Sequence, residues 1–276
     1  VYDKSSNWSN HSQLYYRNAT VMNNTIAFIT SDTGAVGGQT GYYRPNNSVG
    51  FENQFNFTWG KNVSIIAGVV LERERLAQSF SITHSGSPER EPPTPKKPTM
   101  DTNYLASVYS QAQYRFRKST ELTLGLRYDN SNYYGTVSTP RIGLVYNRNN
   151  LTTKFLYTDA FRVPKPWDYT YGEGNPELDP ETMKSWEVAA TYAFTEDFIT
   201  GLTLYNNTMK GALTREVHRQ TNGPDLKTDG FEVSLEYRTG RIRPYLNYTY
   251  NSSVYETGEK LPEIGNHNAN IGVSYA

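Results

Sequence analysis

Apolar and polar residues alternate with a period of two along most of the chain, and helical spacing is scarce. Leu122, Leu124, Leu126 and Tyr128 interleave with Thr123, Gly125, Arg127 and Asp129. Phe231, Val233, Leu235 and Tyr237 alternate with Glu232, Ser234, Glu236 and Arg238, and Trp186 to Phe194 repeats the pattern. This periodicity predicts thirteen strands, at about 12–21, 24–31, 50–60, 62–76, 103–117, 120–130, 137–147, 150–161, 184–195, 197–208, 227–239, 241–252 and 267–275. A half-buried soluble sheet also alternates, so periodicity alone does not identify the solvent on the apolar face.

Strand length, connection order and strand ends decide that question. Most of the segments run about ten residues or more, against about five to six for a soluble strand. Short turns at Met22–Asn23, Gly60–Lys61, Lys118–Ser119, Arg148–Asn149, Thr195–Glu196 and Gly240 alternate with longer loops near 32–49, 77–102, 131–136, 162–183, 209–226 and 253–266. Short turns on one side and long loops on the other characterise bacterial outer-membrane barrels. Strands that enter a short turn, or end the chain, carry an aromatic on the apolar face beside it: Trp59, Phe116, Tyr146, Phe194, Tyr237 and Tyr275. Such residues form a girdle where hydrocarbon meets headgroups. The expectation is an all-β, antiparallel, up-and-down transmembrane barrel segment of roughly 12–13 strands in the outer membrane.

Composition agrees. Mean hydropathy is -0.70, yet 23 tyrosines bring the aromatic share to 14%, as expected where only alternate residues meet lipid. The net charge of zero argues against a nucleic-acid partner. Without cysteine there is neither a disulfide framework nor a thiolate metal site. The histidines, at 11, 84, 218 and 267, are scattered, and HExxH and GxSxG are absent, so the reading is not an enzyme and includes no metal and no cofactor. Asn-x-Ser/Thr triplets, as at Asn7, Asn56, Asn150 and Asn247, fall mostly in strands or tight turns, where glycosylation is not expected. The glycine-rich Thr33–Gly41 lacks the lysine of a phosphate loop and reads as a flexible loop. Charges of both signs share the polar face: Glu72, Glu74, Arg115, Arg127, Asp129, Glu187, Glu232, Glu236, Arg238 and Arg243. A wet or plugged lumen accommodates them, either as solvated cross-strand pairs or as a surface that holds a plug or lines a substrate path.

One stretch is specific. Ala160–Ser185 runs from FRVP through an aromatic loop to GNPEL-DPE and a new strand, KSWEVAATYAF. It resembles the TonB-dependent outer-membrane receptors, on Phe161, Arg162, Pro164, Gly174, Asn175, Pro176, Leu178, Pro180 and Glu181, with weaker agreement from Thr102 to Tyr275. The resemblance implies a 22-stranded barrel around an N-terminal plug. It also implies active uptake of a scarce nutrient, most often a ferric siderophore, driven by the TonB complex through that plug. On this reading, residues 1–276 are part of a single barrel domain, with plug, first strands and last strands absent, and the partners are outer-membrane lipid, TonB and an iron chelate. In the haem-receptor branch a histidine lies between the corresponding boxes; none lies between Phe161 and Leu178, which disfavours haem. Arg162, Lys165, Trp167, Tyr169 and Tyr171 are the candidate ligand contacts, and packing against other loops is the alternative. A passive channel and a soluble surface-binding β-protein are the rival functions.

Overall fold

The computed structural model describes residues 6–31, 34–78, 81–85, 98–170, 173–216, 219–262 and 264–275. In chain order its strands are β1 (Ser6–Asn18), β2 (Val21–Ser31), β3 (Gly34–Arg44), β4 (Asn46–Trp59), β5 (Val63–Ala77), β6 (Ser81–Ser85), β7 (Met100–Arg117) and β8 (Thr120–Ser131). Next come β9 (Gly135–Arg148), β10 (Leu151–Arg162), one helical turn α1 (Pro166–Thr170), β11 (Glu181–Ala193), β12 (Phe198–Lys210) and β13 (Leu213–Arg215). The last are β14 (Gln220–Asn222), β15 (Leu226–Tyr237), β16 (Ile242–Tyr255) and β17 (His267–Tyr275).

Twelve of these form one antiparallel wall in the order β1-β4-β5-β7-β8-β9-β10-β11-β12-β15-β16-β17. The strand expected at 24–31 is not in it: β2 pairs with β3, and β3 with β6, as a separate three-stranded sheet. The Met22–Asn23 turn is therefore strand, and the glycine-rich segment from Gly34 is β3 rather than a loop. With β1 joined to β4 across this excursion, the wall count falls from thirteen to an even twelve. The connection expected at 131–136 is only residues 132–134, so loop length fails there as a guide to sidedness while loop order holds. At the opposite rim the chain reverses in tight turns that require a left-handed residue, supplied by Gly60 (φ 58°) and Asn149 (φ 52°).

Burial shows which face is which. Leu71 is 55% exposed and Leu126 54%, whereas Asp129 is 1% exposed and Ser107, Asn103 and Ser131 are also buried. In water each bulky apolar side chain left outside forfeits about 1.5–3 kcal/mol; against hydrocarbon the same arrangement is favourable. On the outward face Asn10, Ser12 and Asn53 bond to one another at 2.6–3.3 Å and so satisfy polar groups among themselves.

The polar face is closed by tyrosines laid flat over glycines. Tyr15 lies opposite Gly50, Tyr109 opposite Gly68, Tyr205 opposite Gly230 and Tyr245 opposite Gly272. A Cβ on any of these glycines would fall within the tyrosine ring. Two of the rings span a strand and anchor beyond it, Tyr15 on Glu72 and Tyr109 on Glu52 at 2.8 Å. The glycines thus fix register and ring position together.

Candidate functional site

The strands from Asn46 to Ser131 carry a continuous polar network on the inner face. Arg127 grips Asp129 through Nε at 2.9 Å and Nη2 at 2.7 Å, and Ser107 donates to the same carboxylate. Ser131 donates to Asn103 at 2.6 Å, and Asn103 donates to Glu74 at 2.7 Å. Every charge here has a partner, which permits ionised groups on a partly dry wall.

The FRVP loop comes down onto this network. Pro166 occupies the first helical position of α1, where its missing N–H costs nothing. The Asp168 carboxylate reaches back to the Lys165 N–H at 2.7 Å, half of a capping box. Between the descending loop and the wall lies a cavity of about 360 Å³. Val163, Pro164, Lys165 and Pro166 form one side; Arg17, Arg44, Glu74 and Asn103 form the other, with Tyr133 and Tyr134 between. Arg17 lies 3.7 Å from Glu72 and 4.3 Å above the Tyr15 ring.

Tyr133 donates to Asp101 at 2.5 Å and its ring stands 5.8 Å from that of Tyr169. Burial, then the hydrogen bond to Asp101 and its charge, push the Tyr133 phenol well above its usual range. Tyr134 is pushed up to about 12 by burial and then by the negative charge of Asp129. Tyr169 is raised by burial and then by Asp168 and Asp179. All three are neutral hydrogen-bonding groups at neutral pH. The Tyr169 hydroxyl is buried without a partner among the described residues, the kind of group a water or ligand satisfies.

Behind the cavity, GNPEL-DPE is fastened to the β13–β14 hairpin. Gly174 takes φ 72°. Asn175 donates to the Gln220 carbonyl at 3.0 Å, and its own Oδ1 receives the Glu177 N–H at 3.1 Å. Asn222 acts as a surrogate strand for Asp179, accepting its N–H at 2.9 Å and donating to its carbonyl at 3.0 Å, with a further bond to the Gly211 carbonyl at 2.8 Å. Leu178 is buried. Glu181 accepts both Arg162 Nη2 at 2.8 Å and the Leu213 N–H at 3.0 Å.

The family model described as TonB dependent receptor-like, beta-barrel, matches residues 1–276. The chain belongs to the TonB-dependent receptor family. Relatives of this receptor chain include the "Iron-regulated outer membrane virulence protein" of Vibrio cholerae, 26% identical over 200 residues, covering 60% of this chain and 31% of the relative. The "Heme/hemopexin utilization protein C" of Haemophilus influenzae is 23% identical over 265 residues, covering 78% and 36%. Among solved structures, the "Copper transporter OprC" superposes with a TM-score of 0.77 at 14% identity, covering 97% of this chain and 48% of its own. The ferripyoverdine receptor of Pseudomonas aeruginosa gives 0.68 at 16%, covering 97% and 41%. The chain spans about a third of the length of the curated relatives it matches. It is a segment of an outer-membrane receptor β-barrel.

The residues singled out in the sequence distribute unevenly. Lys165 lines the cavity; Arg162 points to the same side but is held by Glu181. Trp167 lies in α1, the Tyr169 ring is tilted 50° to that of Tyr133, and the Trp167 side chain and all of Tyr171 fall outside the described residues. Phe161 meets Tyr134 at 5.8 Å, Pro176 is part of the stapled box, and Pro180 directly precedes β11. Trp59, Phe116, Tyr146, Phe194, Tyr237 and Tyr275 all project outward near the short turns or at the corresponding end of β17. Inward, Arg115 pairs with Glu121 at 2.8 Å, and Glu187, Glu232, Glu236 and Arg243 line the concave face. Arg238 lies past the end of β15, in the turn, bound to Glu236 at 2.8 Å, so it is a rim residue rather than part of the wall. Sequence reasoning missed Arg17, Tyr133, Tyr134 and Asn222. A signal for the tyrosine pair was present in SNYYG, two aromatics directly before a turn glycine.

Proposed function

We propose that this barrel segment belongs to a receptor that actively imports an anionic ferric chelate, and that the cavity under the FRVP loop is one of its contact surfaces. The observation that carries the reading is the cavity's lining: the cations Lys165, Arg17 and Arg44 converge on it with the carboxylate of Glu74, and Arg17 also meets Glu72 at 3.7 Å, which leaves Lys165 as the cation the descending loop contributes. Neutral phenols at Tyr133 and Tyr134 add flat, polar-tipped surface. A positive, half-dry mouth concentrates anions. In full-length receptor the plug lies inside this wall and TonB supplies the pull. The names of the relatives, concerned with iron regulation and siderophores, support the cargo class.

The test is binding of ferric chelates to full-length receptor, read by quenching of tryptophan fluorescence. Lys165→Glu should weaken binding by about five- to tenfold, the effect of one charge at a partly exposed site, and Lys165→Arg should keep it. Unchanged affinity in Lys165→Glu would remove the cavity from the contact surface. Flux that persists in cells with a discharged inner membrane would favour the passive channel instead.

A further inference from the structure

The outward face carries a second concave surface, on the lipid side of β4, β5, β7 and β8. It is a shallow, open groove of about 640 Å³ bordered by Leu14, Phe51, Leu71, Tyr104 and Ala106, with Arg73 at its upper margin. The strand register explains its shape. Leu14, Phe51, Leu71, Ala106 and Asn130 form one outward row, in which the small Ala106 leaves a dip. The row above runs Tyr16, Val49, Arg73, Tyr104, and the next places Arg75 between Asn47 and Thr102.

Height and charge specify what fits. Arg73 lies ten residues above Val63, which pairs with the girdle residue Trp59. At the usual rise and tilt that is about 25 Å, the height of the apolar band, so the guanidinium stands at headgroup level on the extracellular side. Both Arg73 and Arg75 are exposed, and among the described residues neither has a carboxylate partner. Elsewhere on the same rim Lys210 lies 3.4 Å from Asp225 and Lys184 sits across the strand pair from Asp159, while Lys227 stands singly between Thr208 and Val254. An apolar trough beneath two unmatched guanidiniums has the polarity of an acyl chain under a phosphate.

We infer that this groove is a binding site for one phosphorylated glycolipid of the outer leaflet, the lipid A part of lipopolysaccharide. Its acyl chain lies along Leu71 and Ala106 and its glucosamine phosphate engages Arg73 and Arg75. Arginine suits the role because its planar fork binds phosphate oxygens in pairs. The inference is independent of the imported ligand, since the groove is on the other face of the wall.

The experiment is native mass spectrometry of full-length receptor extracted from outer membranes, followed by titration with lipid A and with dephosphorylated lipid A. One retained lipid A per receptor is expected. The Arg73→Gln/Arg75→Gln variant should bind it about tenfold more weakly or worse, as should Ala106→Trp, which fills the dip. Lys184→Gln/Lys210→Gln should bind as wild type. Heat-modifiable migration confirms that each variant is folded; should Ala106→Trp fail that check, the arginine variant alone decides. Equal binding by the arginine variant, equal binding of the dephosphorylated lipid, or a groove filled by a glycerophospholipid or a second receptor copy would each overturn the inference.

Discussion

Asn222 makes more of the bonds that fasten GNPEL-DPE to the β13–β14 hairpin than any other side chain, beside the single bonds of Asn175 to Gln220 and of Glu181 to Leu213. Replacing it with alanine removes three bonds to main-chain atoms, those to Asp179 N, Asp179 O and Gly211 O. At about 0.5–1.5 kcal/mol each, with water replacing the partly exposed ones, a net local loss of about 2 kcal/mol is expected. The wall does not depend on this contact, so the loss is confined to opening of residues 174–181 and 211–223. Amide exchange in those peptides should quicken about thirtyfold, from 1.4 kcal/mol per factor of ten, while β7 and β8 exchange as before. Asn222→Asp keeps the acceptor for Asp179 N but loses both donors, and should fall between the two. Exchange within a factor of about three of wild type, or loss of protection throughout the barrel, would show that Asn222 does not hold the loop.

Three further outcomes follow from the geometry. Gly68→Ala places a methyl inside the Tyr109 ring and should destabilise the barrel by about 1–3 kcal/mol in urea titrations, whereas Gly240→Ala, with open space around it, should cost less and through backbone strain alone. Asp129→Ala strands Arg127 and Ser107 and should cost about 2–3 kcal/mol, below the 3–5 of a fully buried pair because Arg127 is 39% exposed; the heat-modified transition reads it. The folded-state pKa of Tyr133 lies above the ordinary tyrosine value of about 10. Its contribution is therefore fully present below pH ~10 and is lost as pH rises beyond that, so exchange at 132–134 should be flat from about pH 6 to 9, after correction for intrinsic rates, and should rise only in stronger base.

The wall was legible in the sequence because the membrane enforces it. Lipid outside and polar matter inside impose a strict period of two, which is why Leu122–Tyr128 and Phe231–Tyr237 locate β8 and β15 within a residue or two. The extracellular excursions lack that constraint. Residues 34–41 are mostly glycine and polar, so nothing in their pattern separates a flexible loop from β3, whose identity depends on pairing with β2. The candidate site was legible in half. Lys165 and the GNPEL-DPE box announce themselves locally, but Arg17 is brought in by the β1–β4 pairing and Asn222 by a hairpin 43 positions from Asp179. Long-range partners of this kind have no local signature.

Uptake of radioactive iron by iron-starved cells carrying the full-length gene separates an energised iron-chelate receptor from a passive channel. For an energised receptor, uptake of a ferric chelate is saturable, stops when an uncoupler discharges the inner membrane and is impaired at low chelate concentration by Lys165→Glu. Uptake that continues unabated after the uncoupler and rises linearly with concentration would contradict it.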